Sequence, residues 1–431
     1  LAKRLTTYIL IGLVLGLITG WAINAGFGGA NATPAQAATL AAITKWFGLV
    51  TTIFLSLIKM IIAPLVFGTL VVGIAHMGDT GALGRVGIKS LAWFVGASLM
   101  SLTLGLILVH LLQPGVGVNM PLPPANASAG IDKAAFDPIK IISHIFPTSI
   151  IDSMANNDIL QIVVFAVFFG VAITAVGEPA RPLVRAAEAL TKVMLQVTDY
   201  VMRFAPIAVF SAVAGALVQR GPEVIGKLGY FMLCVYIGLV LLWLLLGLLA
   251  FLIMGRRAFS LFRYIREPAL VAFSAASSEA AFPRTLEALD RFGVPPKISS
   301  FVLPLGYSFN LDGSMMYMTF ASLFIAQAYG IHLDLGTQIA MLLTLMITSK
   351  GIAGVPRASL VVIAANLNHF GLPEAGLLLV LAVDHFLDMG RSATNVIGNA
   401  VAAAVVARWE GQLDEPQPPE IEPRHAPHGL N

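Results

Sequence analysis

The chain has 431 residues, of which 57% are apolar and 11% charged, with a formal net charge of +3 and a mean hydropathy of +0.85. Soluble domains carry roughly 25% charged residues, so a soluble enzyme, a nucleic-acid binder and a secreted disulfide scaffold all fit poorly. The single Cys234 allows neither an internal disulfide nor a thiolate metal site. What remains is an all-α polytopic membrane protein, multi-pass, with lipid around it and no nucleic acid as partner.

A spanning helix needs ~20 mostly apolar residues. Six stretches meet this in chain order: Thr7 to Ile23, Phe47 to Ile74, Leu91 to Leu112, Leu160 to Val176, Val201 to Val218 and Tyr230 to Met254. The first follows Lys3 and Arg4 like a signal peptide, but its apolar core exceeds the ~7–15 residues of a cleaved signal, so it is expected to span. Positive residues concentrate in alternate loops: Lys3 and Arg4, then Arg85 and Lys89, then Arg181, Arg185 and Lys192, then Arg256, Arg257, Arg263 and Arg266. That bias places the N-terminus in the cytoplasm. The Pro-, Gly- and Ala-rich connection from Gln113 to Asn157 then faces outward. The Pro- and Glu-rich tail from Glu410 to Asn431 has no apolar period and is expected to be disordered.

Beyond Met254 the rhythm stops, and small or polar residues interrupt short apolar segments up to Trp409. Irregular backbone at membrane depth survives only where protein buries it or it lines a wet cavity. Two units look alike. One runs into Ser274-Ala-Ala-Ser-Ser-Glu279 and Pro283, then a helix broken at Asn310-Leu-Asp312-Gly-Ser314. The other runs into Thr348-Ser-Lys-Gly-Ile-Ala-Gly-Val-Pro356, then a helix carrying Asp384 to Asn399. Each reads as a re-entrant helical hairpin followed by a polar-lined span, the inverted-repeat pattern that marks a midplane site in secondary transporters.

On the last helix Asp384, Asp388, Arg391, Asn395 and Asn399 follow at intervals of 4, 3, 4 and 4 residues. At ~100° per residue they fall within an arc of about 80°. Charges inside a membrane face a pathway or a partner. Here they either bind a zwitterion with an extra carboxylate, or form an internal ion pair that locks helices together. Arg391 offers a planar fork for a carboxylate, and Asp388 an acceptor for an ammonium. In the preceding helix Asn310, Asp312 and Ser314 interrupt an apolar run, and Gly313 is placed to let the helix unwind and free carbonyl oxygens for a hard cation or a proton relay. At the first hairpin tip Ser277 and Ser278 either present donors to an anion or simply let helices approach closely.

With the runs Gly306-Tyr-Ser-Phe-Asn-Leu-Asp-Gly-Ser314, Ser349-Lys-Gly-Ile-Ala-Gly-Val-Pro356 and Asp384-His-Phe-Leu-Asp-Met-Gly-Arg-Ser-Ala-Thr-Asn-Val-Ile-Gly-Asn399, the sequence resembles the dicarboxylate/amino acid:cation symporter family, the glutamate-transporter fold. The resemblance implies eight transmembrane helices plus two re-entrant hairpins, a homotrimer, and an elevator-type transporter in a bacterial inner membrane. Its domains are scaffold helices 1–2 in residues 1–90, transport-domain helix 3 in 91–112, the extracellular loop and scaffold helices 4–5 in 113–229, the transport domain in 230–409 and a cytoplasmic tail in 410–431.

By the same resemblance Arg391 meets the substrate's side-chain carboxylate and Asp388 its α-amino group. Ser314, Ser392 and Asn395 supply hydroxyl and amide contacts, and the Ser277–Ser278 tip receives the α-carboxylate. Gly354 and Val355 form the tip of a second hairpin that closes as a gate with Pro356 and Arg357. Members specialised for C4-dicarboxylates look different at Asp388, so an acidic amino acid, L-glutamate or L-aspartate, is the expected cargo, with C4-dicarboxylates as the alternative. Sodium-driven members carry an Asp where this chain has Asn399, and Tyr and Thr where it has Phe94 and Ala97, with Ser98 retained. Protons are therefore the expected coupling ion, sodium the alternative, carried among Glu279, Asn310, Asp312, Asp384 and Asn399. Met318 stands where some members of the resembled family place a proton-carrying Glu or a Gln. No cofactor, resident metal or enzymatic activity is expected. An anion channel and an intramembrane hydrolase built from Ser277, His385 and Asp384 are the readings from other classes, and the second lacks a strained nucleophile turn.

Overall fold

The computed structural model describes residues 2–27, 32–77, 80–117, 143, 145–349, 358–367 and 370–416. The apolar runs become long helices: α1 (Ala2–Gly26), α2 (Pro34–Met77) and α3 (Thr80–Leu112). A short α4 (Ile150–Ala155) precedes α5 (Ile159–Val176), which Asp158 caps by accepting from the Gln161 N–H. Next come α6 (Arg181–Met202) and α7 (Ala205–Met254). Among the described residues five helices are long and apolar enough to cross a bilayer, and a sixth if the stretch around α6 and the start of α7, bent by 52°, is taken as one span.

The fifth expected span, Val201 to Val218, needs correction. The chain breaks at Arg203-Phe204 inside that stretch, and the helix from Ala205 then runs without interruption to Met254, through the sixth span. Hydropathy starts the span late because α6 is amphipathic, with Arg181, Arg185, Glu188, Lys192 and Asp199 diluting its apolar face. Along its first half α7 packs tightly on α1. A Cβ on Gly16 would lie 2.8 Å from the Phe210 carbonyl oxygen, and one on Gly20 2.7 Å from that of Ala214, so only glycine permits this approach. In the same seam the buried Asn24 donates to the Val218 carbonyl at 3.0 Å.

The two look-alike units follow. In the first, α8 (Arg257–Ala275) ends at Ala276, a non-glycine residue in the left-handed region at φ 48°. The tip turns through Ser277, Ser278 and a 3₁₀ turn, Glu279–Ala281, into α9 (Phe282–Phe292), which packs back on α8. Then α10 (Pro296–Phe309) gives way at Asn310-Leu311 to α11 (Asp312–Ala328). In the second, α12 (Leu335–Thr348) packs on α13 (Ala358–Leu367), and Asn366 Nδ2 donates to Thr348 Oγ1 at 3.1 Å to tie the two arms. A single long helix, α14 (Leu377–Trp409), completes the unit. The expected gate residues Gly354, Val355, Pro356 and Arg357 lie outside the described residues, as do most of the long third-to-fourth connection and the tail beyond residue 416.

The start of the expected disordered tail is packed. Glu410, its side chain 4% exposed, pairs with Lys89 at 2.6 Å and Arg85 at 3.7 Å. Lys89 Nζ also donates to the Trp409 carbonyl at the end of α14, and Trp93 meets Trp409 edge to face. Further along, the Asp414 N–H donates to the Gly293 carbonyl at 2.9 Å, and Arg257 reaches Leu413 and Glu415. Residues 410–416 therefore run as a strap from α14 past the start of α3 to both ends of the first helical pair.

Candidate substrate site on the last helix

From Met389 to Ala407 every residue of α14 is buried, among α7, α8, α10 and α11. A helix buried all round should be apolar all round, so the polar stripe is placed against that rule. It forms two layers.

The first layer is charged. Arg391 donates from Nε and Nη2 to the same oxygen, Asp388 Oδ1, at 2.9 and 2.7 Å, and Ser392 Oγ donates to it at 3.3 Å. Arg391 Nη1 lies 3.6 Å from Asp384 Oδ1, which accepts from the Tyr317 hydroxyl at 2.7 Å. The guanidinium carbon sits 4.5 Å from the centre of the Tyr317 ring, within cation–π range. So the internal ion pair does form. It leaves the buried Arg391 Nη1 with its 3.6 Å approach to Asp384 and no hydrogen bond among the described residues. The Asp388 side chain is 24% exposed and that of Arg391 5%. A guanidinium N–H without a hydrogen bond beside a partly exposed carboxylate is one donor and one acceptor for a small charged guest.

The second layer is amide and acid. Asn395 Oδ1 accepts from the backbone N–H groups of Gly313 and Ser314 at 2.9 and 3.3 Å, and its Nδ2 donates to Ser314 Oγ at 3.2 Å. These are first-turn N–H groups of α11, which the helix itself leaves without acceptors. One turn on, Asn310 Nδ2 donates to Asn399 Oδ1 at 3.1 Å and to Asp312 Oδ2 at 3.2 Å. The Asn310 Oδ1, Ser308 Oγ and Asn399 Nδ2 atoms are buried with no hydrogen-bond partner.

Gly313 differs from its expected role. It is helical, the break falling at Asn310-Leu311, and what it permits is contact: a Cβ there would overlap the Arg391 carbonyl oxygen. A Cβ on Gly398 would likewise overlap Asp312 Oδ2.

The first hairpin tip is held by contacts of its own. Ser277 Oγ accepts from the Ala280 N–H at 3.3 Å within its own tip, and the turn Glu279–Ala281 packs on α2. Below the tip, Arg284 of α9 pairs with Asp199 of α6 at 2.5 Å and with Glu287 at 2.9 Å. In α3, Phe94 and Ala97 are buried and bring no oxygen, as is Met318 in α11.

The residue that sequence reasoning missed is Tyr317, which sits in a run of Met and Phe and has no polar neighbour in sequence to flag it. Its spacing from Ser314, three residues, places both on one face of α11, and that was the available signal.

Comparison with known proteins agrees with this architecture. Relatives include a proton/sodium-glutamate symport protein of Bacillus caldotenax, 39% identical over 94% of each chain. A proton/glutamate-aspartate symporter of Escherichia coli K12 is 41% identical over 84% of this chain and 85% of its own. A C4-dicarboxylate transport protein of Pseudomonas syringae pv. tomato is 40% identical over 84% and 80%. The two broken units and the charged last helix fall within a match that runs over residues 5–409, and on that match the chain belongs to the sodium:dicarboxylate symporter family.

Proposed function

We propose that the protein is a secondary active symporter that takes up L-glutamate or L-aspartate together with protons across a bacterial inner membrane. The observation that carries this is the charged layer, where the buried Arg391 Nη1 makes no hydrogen bond among the described residues and the Asp388 carboxylate beside it, 24% exposed, shares the same guanidinium. The guest's side-chain carboxylate takes the guanidinium, and its ammonium takes Asp388. Ser392, Ser314 and Asn395 complete the contacts, and the α-carboxylate reaches the Ser277–Ser278 tip. Gly354 and Val355, with Pro356 and Arg357, close over it from the second hairpin. The names of two relatives, which specify glutamate or glutamate and aspartate, support the cargo.

Protons ride on Glu279, Asp312 or Asp384, in a unit where Asn399 replaces an acid and Phe94 and Ala97 supply no cation ligand. Losing anionic and oxygen ligands weakens a hard-cation site. The orphaned Asn310, Ser308 and Asn399 atoms support the reading that the coupling ion acts at the break. We assign α3 and residues 230–409 to a mobile unit that carries its guest past a trimeric scaffold, in an eight-span topology with two re-entrant hairpins and a cytoplasmic N-terminus.

The test is uptake into proteoliposomes under separately imposed gradients. A pH gradient without sodium should drive accumulation of L-glutamate, whereas accumulation driven by sodium alone would overturn proton coupling. The C4-dicarboxylate transport proteins among the relatives favour a second reading. Succinate that competes as well as L-aspartate does would support it.

A further inference from the structure

We infer that Tyr236 and Trp243 of α7 are positioning residues that fix the rotation of α14 so that Asp388 and Arg391 face the guest; this rests on the function proposed above. The two side chains are seven residues apart, so they lie on one face of α7 about 10 Å from each other along its axis. The Tyr236 hydroxyl donates to the Phe386 carbonyl at 2.5 Å. The Trp243 indole N–H donates to Thr394 Oγ1 at 2.7 Å. The Thr394 hydroxyl in turn donates to the Gly390 carbonyl at 2.8 Å.

Both chains of donors therefore end on carbonyls of a single turn, Phe386 and Gly390, which has Asp388 at its centre and Arg391 next to it. Because Trp243 Nε1 can only donate, it fixes Thr394 Oγ1 as its acceptor and so directs the threonine proton onto Gly390. Contact reinforces the grip. A Cβ on Gly390 would lie 2.8 Å from Tyr236 Cε1 and 2.9 Å from Leu239 Cδ1, so α14 meets the tyrosine ring through a residue without a side chain.

Neither aromatic touches Asp388 or Arg391 by hydrogen bond; they act on the backbone that carries them. A rotation of α14 by a few tens of degrees would turn both charges away together, and these two bonds oppose it from either end of the turn. Helix packing alone would require neither a hydroxyl aimed at the Phe386 carbonyl, which the helix already pairs internally, nor an indole N–H aimed at Thr394 Oγ1.

The experiment uses the full-length protein in proteoliposomes with radiolabelled L-glutamate. Tyr236→Phe and Thr394→Val should each raise KM about fivefold to tenfold, the effect of one net hydrogen bond, with the maximal rate within about twofold of wild type. Thr394→Ser, which keeps the hydroxyl, should restore KM. Trp243→Phe combined with Thr394→Val should be no worse than either alone, since both remove the same bond. Hydrogen exchange at Leu387 to Arg391 should rise in every damaged variant. Folded variants with unchanged KM, or a Thr394→Ser protein as impaired as Thr394→Val, would overturn the proposal. Should Trp243→Phe fail to fold, the two Thr394 variants decide it. If the wild-type protein accumulates no L-glutamate, the functional reading fails, and hydrogen exchange alone then judges the clamp: unchanged protection overturns it and increased exchange supports it.

Discussion

Asp388→Asn separates an amino acid carrier from a dicarboxylate carrier with one charge. Asparagine keeps the shape and still offers an oxygen to Arg391, whose Nε and Nη2 now converge on Asp388 Oδ1 at 2.9 and 2.7 Å. Asp384, 3.6 Å from Nη1, still supplies a counter-charge, so the guanidinium is not stranded. What the exchange removes is the anion that the proposed function sets against the substrate's ammonium. A hydrogen bond to a charged group contributes about 1.5–3 kcal/mol, and unit charges 4 Å apart at an effective dielectric of 20 interact by about 4 kcal/mol before desolvation. A net loss of about 2–4 kcal/mol corresponds to a rise of about 30- to 1,000-fold in KM for L-glutamate. Succinate has no ammonium to lose, so its inhibition constant should hold or improve. The assay is radiolabelled L-glutamate uptake in proteoliposomes with succinate as competitor. A variant whose KM for L-glutamate stays within about threefold of wild type refutes the assignment of Asp388.

Further outcomes follow from other contacts. Gly398→Ala places a methyl against Asp312 Oδ2, and overpacking of about 1–3 kcal/mol should cut proton-driven uptake about tenfold in a protein that still purifies folded; unchanged uptake would mean that α14 does not press on the helix break during transport. Asp199→Asn removes the partner of Arg284 across α6 and α9. A half-exposed pair is worth about 0.5–1 kcal/mol, so the maximal rate should shift about two- to fivefold while KM holds, and a pure change in KM would deny that the two helices part. Ending the chain after Trp409 strips the strap and leaves Lys89 without Glu410. The solubilised protein should lose about 2–6 °C in melting temperature, whereas an unchanged melting temperature would show the strap to be passive.

Much of the architecture was legible because lipid-facing helices leave long apolar runs, as in α1, α3 and α5. The α6–α7 region misled for a physical reason. Hydropathy reports the solvent around a segment, and α6 is amphipathic, so its helix has no apolar run to detect. The Arg220-Gly221-Pro222 stretch looked like a loop, yet the helix continues through it. The polar stripe on α14 was legible because helical period is local arithmetic, 384 to 399 on one face. The partners of that stripe were not. Tyr317, Tyr236 and Trp243 lie about 70 to 150 residues away, in runs where an aromatic is an ordinary filler, and only packing reveals that their polar tips reach Asp384, Phe386 and Thr394. The strap failed for the opposite reason: its composition suits solvent, and its order comes from Lys89, Arg85 and Arg257 on distant helices.

Charge arithmetic on the buried cluster ties the site to coupling. With all groups ionised, Asp384, Asp388 and Arg391 sum to −1, and Asp312 brings this to −2 in residues that are buried or nearly so. An acidic amino acid adds its own −1, for −3, and Glu279 at the hairpin tip makes −4. The turn that carries Glu279 packs on α2, and in the proposed mechanism α2 remains with the scaffold while the guest moves. Each uncompensated charge in the hydrocarbon costs several kcal/mol, so the loaded unit cannot cross as it stands. In that mechanism every proton taken up by Glu279, Asp312 or Asp384 cancels one of these charges, and the empty unit, lacking the guest's −1, needs one fewer to return. In the proposed mechanism symport suits the composition of the site: the substrate enters a cluster too negative to move until cations join it.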